Sequence, residues 1–572
     1  MGRRGWMGRK GGKGQMSMRI GLAGVFLAVF ASSAFAQRSS TDQEAPPSKP
    51  LAPASARTEA LKKEVVADIE ARRTFTQQLV DSLFSFSELG FQETETQRRL
   101  TDVLVREGFD VQRSVYGVPT SWIARYGSGR PIIALGTDVD GLPTTNQTPG
   151  VVTRKELVTG APGHGEGHNA GHALVITAAL AVKKIMDRDK LPGTLILWPG
   201  VAEEALGTKA FYVRDGMFKD VDATLFVHVG SDFTTSWGEG TGTGMVSVEY
   251  MFTGSSSHAA ASPWMGKSAL DAVELMDISW NFKREHLRPA QRSHYVITSG
   301  GNQPNVVPPY ASVWYYFREL DYDHIKQLWD FGNTFAQAAS MMTGTTWESR
   351  VLGSAWPQHG NRALAEAMQA NINTVGLPEW TEADQQFAKA FQRAMGADER
   401  GLPMKVQTLR GRVSIPADEQ NGGGSDDIGD VMWTVPTITM RFPSNIPGAI
   451  GHHWTSAVAM ATPVAHKGAT QGAKAYAMTI IDLLTRPDLL ENAKDYFNNI
   501  QEAPKRYKPL LRPGDKPAVW LNKDSMDRFR PALSKFYYDA TKYKSYLEQL
   551  GVQYPPPMPP DSDKGINVRG PQ

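Results

Sequence analysis

The residues with the clearest chemical potential lie in the segment GHGEGHN at positions 163–169, where histidines and a carboxylate are only a few positions apart. Imidazole nitrogens and carboxylate oxygens are ligands for zinc, manganese and similar divalent ions. The chain has no cysteine, so any metal site must be built from nitrogen and oxygen ligands. Further candidates recur downstream, each beside a predicted strand end or turn: Glu203, Glu204, His228, His258, His452 and His453. This set predicts a metallohydrolase.

The adjacent carboxylates of Glu203 and Glu204 follow a predicted apolar strand. Burying two neighbouring charges without partners costs several kcal/mol, and a bound cation would supply the partner. Successive side chains near a strand end point in different directions, so one carboxylate could bind metal while the other faces substrate. A glutamate pair alone is more typical of a solvated surface, so this interpretation depends on the surrounding motifs.

The apolar pattern predicts the elements that position these residues. Strand-like and helical stretches alternate over residues 58–244 and resume over residues 354–486, which predicts an α/β fold with a mainly parallel sheet. His228 ends the predicted strand ATLFVH, and ligand sites of open α/β sheets lie at the carboxyl ends of their strands. A lone histidine after an apolar run is otherwise more often a packed or capping residue.

Residues 245–353 have a different pattern, in which strands of alternating character are interleaved with helical stretches at 268–285 and 323–342. This predicts a small inserted antiparallel α+β domain. The glycine-rich EGTGTG (239–244) and NGGGSDD (421–427) lack the strand–helix context of a nucleotide-binding loop and are predicted to be flexible loops. Residues 487–572 form a C-terminal tail without a catalytic signature, although it carries several tyrosines: Tyr537, Tyr538, Tyr543 and Tyr546.

The N-terminal residues 1–36 have the three parts of a secretory signal, namely a basic stretch, a twelve-residue apolar run and small residues at Ala34 and Ala36. We expect cleavage after Ala36 and a secreted or periplasmic protein. The apolar run is shorter than the ~20 residues of a membrane span, and no span is expected in the mature chain. Residues 37–57, rich in Ser, Pro and Ala, are expected to be a flexible leader.

Charge argues against a nucleic-acid partner. The whole chain of 572 residues has a formal charge of +2, but its first 36 residues hold six basic residues and no acidic one. The remainder has 55 basic and 59 acidic residues, a net charge of −4. Nucleic-acid-binding proteins usually carry a basic excess, so a small-molecule substrate is expected instead.

Six motifs in order carry a family resemblance: TDVDGLP, GHGEGHN, AEE, SSSHAAASP, GGNQPNVVPPYA and GHHW. The chain resembles the dinuclear metallo-amidohydrolases, a family that includes aminoacylases, carboxypeptidase G and auxin-conjugate hydrolases. The resemblance covers most of residues 56–486. It implies one or two divalent ions, zinc or manganese or else cobalt. It also implies that residues 245–353 are a lid and dimerisation domain, through which a homodimer forms.

The family's loop motif is CGHN or CGHD, in which the cysteine sulfur bridges two metals. The resemblance therefore places Glu166 in the bridging position and implies that His168, Glu204, His228 and His452 are the other metal ligands. A carboxylate can bridge through its two oxygens and suits zinc, manganese or cobalt. In an alternative interpretation Glu166 lies outside the ligand shell and the site binds one metal.

The resemblance also assigns roles around the metal. It implies that Glu203 is the general base and that Asp140 orients a ligand imidazole, whereas Asp138 could be only structural. It further implies that His258 reaches into the partner subunit's site and donates a hydrogen bond to the scissile carbonyl oxygen as that oxygen becomes an oxyanion. This role requires a dimer.

The remaining two candidates bind substrate in the family. Asn305 and Arg318 match positions that hold the free carboxylate of the substrate, for which a guanidinium fork is well shaped. The alternative for Arg318 is a surface arginine paired with Glu319 or Asp321. If Arg318 holds a carboxylate, the substrate is an N-acyl amino acid or a peptide-like amide.

The predicted function is therefore metal-dependent hydrolysis of such an amide, with conjugates like aminobenzoyl-glutamate favoured by the resemblance. Metal-activated water would attack the carbonyl while Glu203 accepts its proton. One alternative is a non-catalytic periplasmic binding protein for amino-acid conjugates, although Glu203 and all the candidate histidines are present. Another is a cell-envelope interaction protein that uses the aromatic tail.

Overall fold

The computed structural model describes residues 51–240, 242–411 and 423–559. The predicted signal segment 1–36, residues 37–50 of the predicted leader and the last residues of the tail lie outside the described residues. A helix begins at Ala56, inside the predicted leader. The Ser55 side chain before it accepts a hydrogen bond from the Thr58 amide (3.1 Å). This contact is an N-cap, which satisfies a backbone donor that the first helical turn leaves free.

The described ranges form thirteen strands: β1 (Asp110–Arg113), β2 (Trp122–Ser128), β3 (Ile132–Asp138), β4 (Gly193–Gly200), β5 (Ala223–Gly230), β6 (Thr234–Thr235), β7 (Gly238–Glu239), β8 (Gly244–Thr253), β9 (Arg292–Ser299), β10 (Tyr310–Glu319), β11 (Thr346–Ala355), β12 (His359–Gly360) and β13 (Thr437–Pro443). The α-helices of the same ranges are α1 (Ala56–Ala71), α2 (Arg73–Phe86), α3 (Thr94–Arg106), α4 (Gly171–Asp189), α5 (Lys209–Arg214), α6 (Ala269–Arg284), α7 (Tyr322–Thr343), α8 (Arg362–Val375), α9 (Glu382–Ala394), α10 (Ile428–Met432), α11 (Trp454–Ala457), α12 (Pro463–Thr485), α13 (Pro487–Tyr496), α14 (Lys523–Leu533) and α15 (Tyr546–Leu550).

The larger sheet has seven strands in the order β1-β2-β4-β3-β5-β13-β6. Its four central strands β4, β3, β5 and β13 are parallel, and the outer strands pair antiparallel. Strands β3 and β5 consist almost entirely of buried residues, as expected for parallel strands covered on both faces. Helix α12 packs against α1, α4 and α8. The predicted mainly parallel α/β sheet is confirmed.

The second sheet has four antiparallel strands in the order β11-β8-β10-β9, with α6 and α7 packed together against it. Trp280 of α6 and the β10 side chains Tyr315 and Phe317 are fully buried in its core. Helix α7 begins after Asp321, whose side chain accepts the His324 amide (3.0 Å). This is the α+β pattern predicted for the region.

The C-terminal segment packs against both sheets: Leu510 and Leu511 are buried in the core of the second sheet, and later tyrosines contact α2. The Tyr546 amide donates to the Asp81 carboxylate (2.9 Å) and the Tyr538 amide donates to the Ser85 hydroxyl (3.0 Å), and both tyrosines are buried. A tail whose aromatic residues are used in packing offers fewer of them to another protein. No helix of the described ranges combines the length and the apolar character that a bilayer span requires.

Candidate metal centre

Five candidate ligands meet at the carboxyl-terminal edge of the parallel strands. Glu204 lies in the turn that follows β4, and His228 lies near the end of β5. Glu166 and His168 come from the loop that enters α4, and His452 comes from the loop before α11. The sheet therefore brings together residues that are nearly 290 positions apart in the chain.

The Glu166 carboxylate faces two histidines at once. Its Oε1 lies 3.4 Å from Nε2 of His228, and its Oε2 lies 3.3 Å from Nε2 of His452. His452 also lies 3.4 Å from Oε2 of Glu204. Two ligand atoms that are each ~2.1 Å from one ion are about 3.0 Å apart at a right angle and about 3.4 Å apart at a tetrahedral angle. These separations fit ligands that share a divalent ion.

Buried polar atoms without a hydrogen-bond partner give a second test of whether the site fits a metal ion. Nδ1 of His168 is 3.1 Å from the backbone carbonyl of Asp140, so its Nε2 carries the free lone pair when Nδ1 holds the proton. That Nε2 is buried and has no hydrogen-bond partner in the described part of the chain, and neither has the buried Oε1 of Glu204. Buried polar atoms are normally satisfied, and a cation bound between these residues would satisfy both of these atoms.

Two of the groups of candidate ligand atoms in the described residues overlap at His168. Within 4.8 Å of one another lie single atoms from Glu166, His168, Glu203 and Glu204, and likewise single atoms from Asp138, His168 and His228. His168 belongs to both groups. The sequence allowed Asp138 a purely structural role, but its place beside two histidines makes its carboxylate part of the centre's surroundings.

Asp140 supports the centre in a way that the sequence did not suggest. Nδ1 of His168 lies 3.1 Å from the Asp140 backbone carbonyl and 3.7 Å from the Asp140 carboxylate, and the same carboxylate accepts the amides of Glu203 (3.1 Å) and Glu204 (3.2 Å). The glutamate pair is thereby fixed relative to His168. The turn begins at Ala202, whose φ of 52° is left-handed. A non-glycine residue in this conformation costs about 1–3 kcal/mol, a strain that the Asp140 contacts help to maintain.

The carboxylates at the centre affect one another's ionisation. Burial, together with the charges of Asp138 and Asp426, raises the pKa of Glu203 well above its ordinary value. Burial and the charge of Glu166 do the same to the pKa of Glu204. Burial also opposes ionisation of Glu166, but hydrogen bonds from His228 and His452 hold its pKa well below the ordinary value. Divalent cations would offset the crowded negative charge.

Beneath the centre lies a buried ion cluster that sequence reasoning missed. Lys209 is fully buried, and its Nζ lies 2.6 Å from Asp138 and 3.4 Å from Asp426 and forms a closer pair with Asp427. Gly200 permits this packing, because a Cβ there would lie 1.9 Å from Oδ1 of Asp138. The prediction that NGGGSDD is a flexible loop is wrong at its end, where Asp427 is buried. Residues 421 and 422 of that motif lie outside the described residues.

A cavity of about 710 Å³ opens onto the centre. Arg318 of β10 lines it, with Nη1 donating to the Ser425 hydroxyl (2.9 Å) and a buried Nε that has no partner among the described residues. Glu319 pairs instead with Arg288 (3.3 Å), so the alternative of a surface pair between Arg318 and its neighbours is wrong. The cavity has other basic lining residues that the sequence analysis did not single out: Arg292, His294, Arg410 and Arg441.

Two predicted residues lie away from this cavity in their own chain. His258 is exposed, and its Nδ1 accepts the amides of Ala260 and Ala261 (both 3.2 Å). Asn305 is also exposed, and its backbone carbonyl accepts the Ala259 amide (3.0 Å). The two residues are therefore held on neighbouring loops of the second sheet's region. Neither lines the cavity described above.

The Ala259–Asn305 backbone contact accompanies an isolated bridge in which His258 pairs with Val306. This bridge fixes the position of the His258 loop relative to the PNVVPP segment. His453, the neighbour of His452, places its Nδ1 3.0 Å from the Thr455 hydroxyl and does not line the cavity. Of the two histidines in GHHW, His452 is therefore the one that faces Glu166 and Glu204.

Comparisons with known proteins agree with this geometry. Residues 134–458 match the family described as Peptidase family M20/M25/M40. The chain is 32% identical over 462 residues to a p-aminobenzoyl-glutamate hydrolase subunit of Escherichia coli (strain K12), covering 77% of this chain and 96% of the relative. It is 25% identical over 466 residues to the Xaa-Arg dipeptidase of Mus musculus, covering 79% and 95%.

A solved structure supports the fold alone. A crystal structure described as that of an aminohydrolase from methicillin-resistant Staphylococcus aureus superposes with a TM-score of 0.51 at 17% sequence identity. The match covers 74% of this chain and 100% of that chain. The arrangement of a mainly parallel sheet with a second, antiparallel one is thus shared at low sequence identity.

Proposed function

Because this chain belongs to peptidase family M20/M25/M40, we propose that it hydrolyses the amide bond of N-acyl amino acids or peptide-like conjugates. The chain is a metal-dependent amide hydrolase. The observation that carries the proposal is the Glu166 carboxylate, whose two oxygens face His228 and His452 beside the Glu203–Glu204 pair. The names of both relatives describe cleavage next to an amino acid. The name of the bacterial relative supports conjugates like aminobenzoyl-glutamate as substrates of this chain.

The metal-binding part of the proposal concerns how many metal ions the site holds and which elements they are. Two divalent ions, zinc or manganese or else cobalt, would be held by Glu166, His168, Glu204, His228 and His452. Such ions acidify water and polarise a carbonyl oxygen when they are bound. The mixed nitrogen and oxygen donor set suits these metals, and the absence of cysteine from the sequence leaves it without a thiolate that oxidation could damage.

The chain's own residues then move the protons and hold the substrate. Glu203 takes a proton from the attacking water and passes it to the leaving nitrogen. Its position is supported by the Asp140 carboxylate, which accepts its amide. Arg318 holds the free carboxylate of the substrate, since its guanidinium lines the cavity and makes no ion pair with the described residues. The products are a carboxylic acid and an amino acid.

A homodimer is the second part of the proposal. Strand β9 is an edge strand of the second sheet, and it carries the exposed apolar side chains Val296 and Ile297. The nearby α6 exposes 75% of Phe282, and the loop before it exposes 78% of Trp264. An apolar edge of this kind favours association. In such a dimer, His258 and Asn305 would serve the partner's cavity.

Export is the third part, and it rests on the sequence of residues 1–36. We propose a periplasmic enzyme from which this segment is removed after Ala36. Sequencing the amino terminus of protein recovered from the periplasm should begin at Gln37. Recovery of the full-length chain from the cytoplasm alone would contradict this location.

The function is tested by amino-acid release from a panel of N-acyl amino acids, with aminobenzoyl-glutamate included. The protein is stripped with a chelator and reloaded with zinc, manganese or cobalt, and Glu203→Gln is assayed beside it. Release that depends on added metal and is lost in the variant supports the proposal. Release that is unchanged by the chelator, or equal in Glu203→Gln, would overturn it.

A further inference from the structure

Arg318 and Arg441 stand out among the cavity's basic residues, because neither forms an ion pair with a carboxylate within the described ranges. Arg318 donates to the Ser425 hydroxyl (2.9 Å). Arg441 donates to the backbone carbonyl of Val229 (3.3 Å). By contrast, Arg410 of the same cavity pairs with Asp232 (3.4 Å). The cavity therefore holds two guanidinium groups that form no ion pair with a carboxylate of the described chain.

The two arginines come from different sheets. Arg318 lies on β10 of the antiparallel sheet, whereas Arg441 lies on β13 of the parallel sheet. In the parallel register, Arg441 is paired with His228, and its Nη1 lies 3.2 Å from Nδ1 of that histidine. A substrate whose amide reaches the metal centre would thus meet one guanidinium from each sheet.

The position of Arg441 has an electrostatic cost. A fixed positive charge beside a residue that binds cations repels those cations, and the repulsion grows as solvent is displaced from the cavity. Asp426 also lines the cavity, but it is already within 3.4 Å of Lys209. An anionic group of the substrate would offset the charge of Arg441, and a guanidinium can bind a carboxylate through two parallel hydrogen bonds.

We propose that Arg441 recognises a second carboxylate of the substrate, so that the preferred substrates are N-acyl derivatives of acidic amino acids. Arg318 holds the α-carboxylate and Arg441 holds the side-chain carboxylate. This inference rests on the proposed amide hydrolase activity, but it concerns selectivity among amides. It predicts that a residue of the parallel sheet, and not of the lid, determines which charge the enzyme prefers on the side chain of the substrate.

The test uses two compounds that differ by one charge, N-benzoyl-glutamate and N-benzoyl-glutamine. We expect the metal-loaded wild type to favour the glutamate compound in kcat/KM by about 10- to 100-fold, the range of one charge-assisted hydrogen bond. Arg441→Met should remove the preference by lowering kcat/KM for the glutamate compound alone. Arg441→Lys should retain part of it, and Arg410→Met is the matched control that should preserve it.

Binding separates this inference from the activity on which it rests. In metal-loaded Glu203→Gln, calorimetry should give a lower Kd for the glutamate compound, and adding Arg441→Met should bring the two Kd values together. Equal Kd values in the presence of Arg441, or equal losses for both compounds on its removal, would overturn the inference. Hydrolysis by the wild type decides the proposed function independently of either result.

Discussion

Oε1 of Glu166 lies 3.4 Å from Nε2 of His228, and the second oxygen of the same carboxylate faces His452 at 3.3 Å. One side chain thus spans two imidazoles that lie 224 positions apart in the sequence. A carboxylate in this position can contact two ions through separate oxygens, whereas the cysteine of the resembling families uses one sulfur atom for both. In the proposed two-metal centre, the Glu166 carboxylate would take the place of that bridging sulfur.

Glu166→Gln should lower the bound metal from two equivalents per chain to one or fewer, because the neutral amide lacks the second anionic oxygen. Activity should fall by at least the ~10–100-fold that loss of an outer-shell partner causes. Glu166→Cys should keep more metal, since it supplies a bridging thiolate. Elemental analysis after gel filtration measures the metal, with exposed Glu107→Gln as control. Two equivalents in Glu166→Gln would show that this carboxylate does not bridge, and one equivalent in both proteins would favour the one-metal interpretation.

Glu203→Gln should reduce kcat by about 10²–10⁴-fold, the usual contribution of general acid–base catalysis. The metal content should stay at the wild-type level, because the ligand role falls to Glu204. Steady-state kinetics with elemental analysis of the same samples separates the two effects. A variant that loses metal along with activity would place Glu203 among the ligands.

The sequence predicted the parts of the site that short motifs encode. Glu166 and His168 sit in one loop, and Glu203 and Glu204 sit in one turn, so spacing alone brings them together. His228 ends an apolar strand, where parallel sheets collect ligands, but its choice as a ligand came from the family resemblance. The fold class was readable for the same reason, because alternation of strands and helices over long stretches dictates a parallel sheet.

The remaining contacts depend on distances that no local pattern encodes. Lys209 meets Asp427 across more than 200 residues, and Arg441 meets His228 only because β13 adds beside β5. Neither side chain belongs to a motif with a spacing of its own. By contrast, α9 was missed although a readable signal was present, since Thr381 and Asp384 form a capping box at its start.

Lys209→Met should destabilise the protein by about 3–5 kcal/mol, because it leaves buried carboxylates without their cation. Urea unfolding of the metal-loaded protein measures this, and the exposed Lys219→Met is the matched control. Adding Asp138→Asn should restore part of the lost stability, since it removes one of the uncompensated charges. A double variant no more stable than Lys209→Met would show that the charges around Lys209 do not act as one cluster.

Asp430 should make stability depend on pH. Its carboxylate, carried by α10, is buried and accepts the Tyr507 hydroxyl (2.7 Å) and the Trp356 amide (2.9 Å), and burial raises its pKa to about 7. The folded state then binds this proton more tightly than the unfolded state. The stabilisation that this proton adds to the folded state is complete below the ordinary pKa near 4 and is lost as pH rises through about 7.

Asp430→Asn should remove that part of the pH dependence, since an amide stays neutral. The free energy of unfolding of the wild type should fall by a few kcal/mol relative to the variant between about pH 4 and pH 7. Urea titrations at one-unit pH intervals give the difference in the free energy of unfolding between the two proteins. The contributions of all other titrating groups cancel in this difference. Parallel curves for the two proteins would mean that Asp430 is already ionised at low pH in the folded state.

His258 provides the sharpest test of the proposed dimer, because it is exposed and lies outside the cavity of its own chain. His258→Ala and Glu203→Gln should each be nearly inactive as separate proteins. In a mixed dimer, the subunit with intact Glu203 receives His258 from its partner, so one of the two sites is complete. Random exchange of subunits should then recover about a quarter of the wild-type activity.

The mixture must be unfolded and refolded together, or co-expressed with two affinity tags, so that mixed dimers form. Refolding each variant alone is the control, and its activity should stay at background. Sedimentation of the wild type gives the mass of the assembly in the same buffer. Recovery of activity requires that residues from two chains complete one site, because neither variant supplies both groups to its own cavity. A dimeric mixture that stays inactive would show that His258 does not act across the interface.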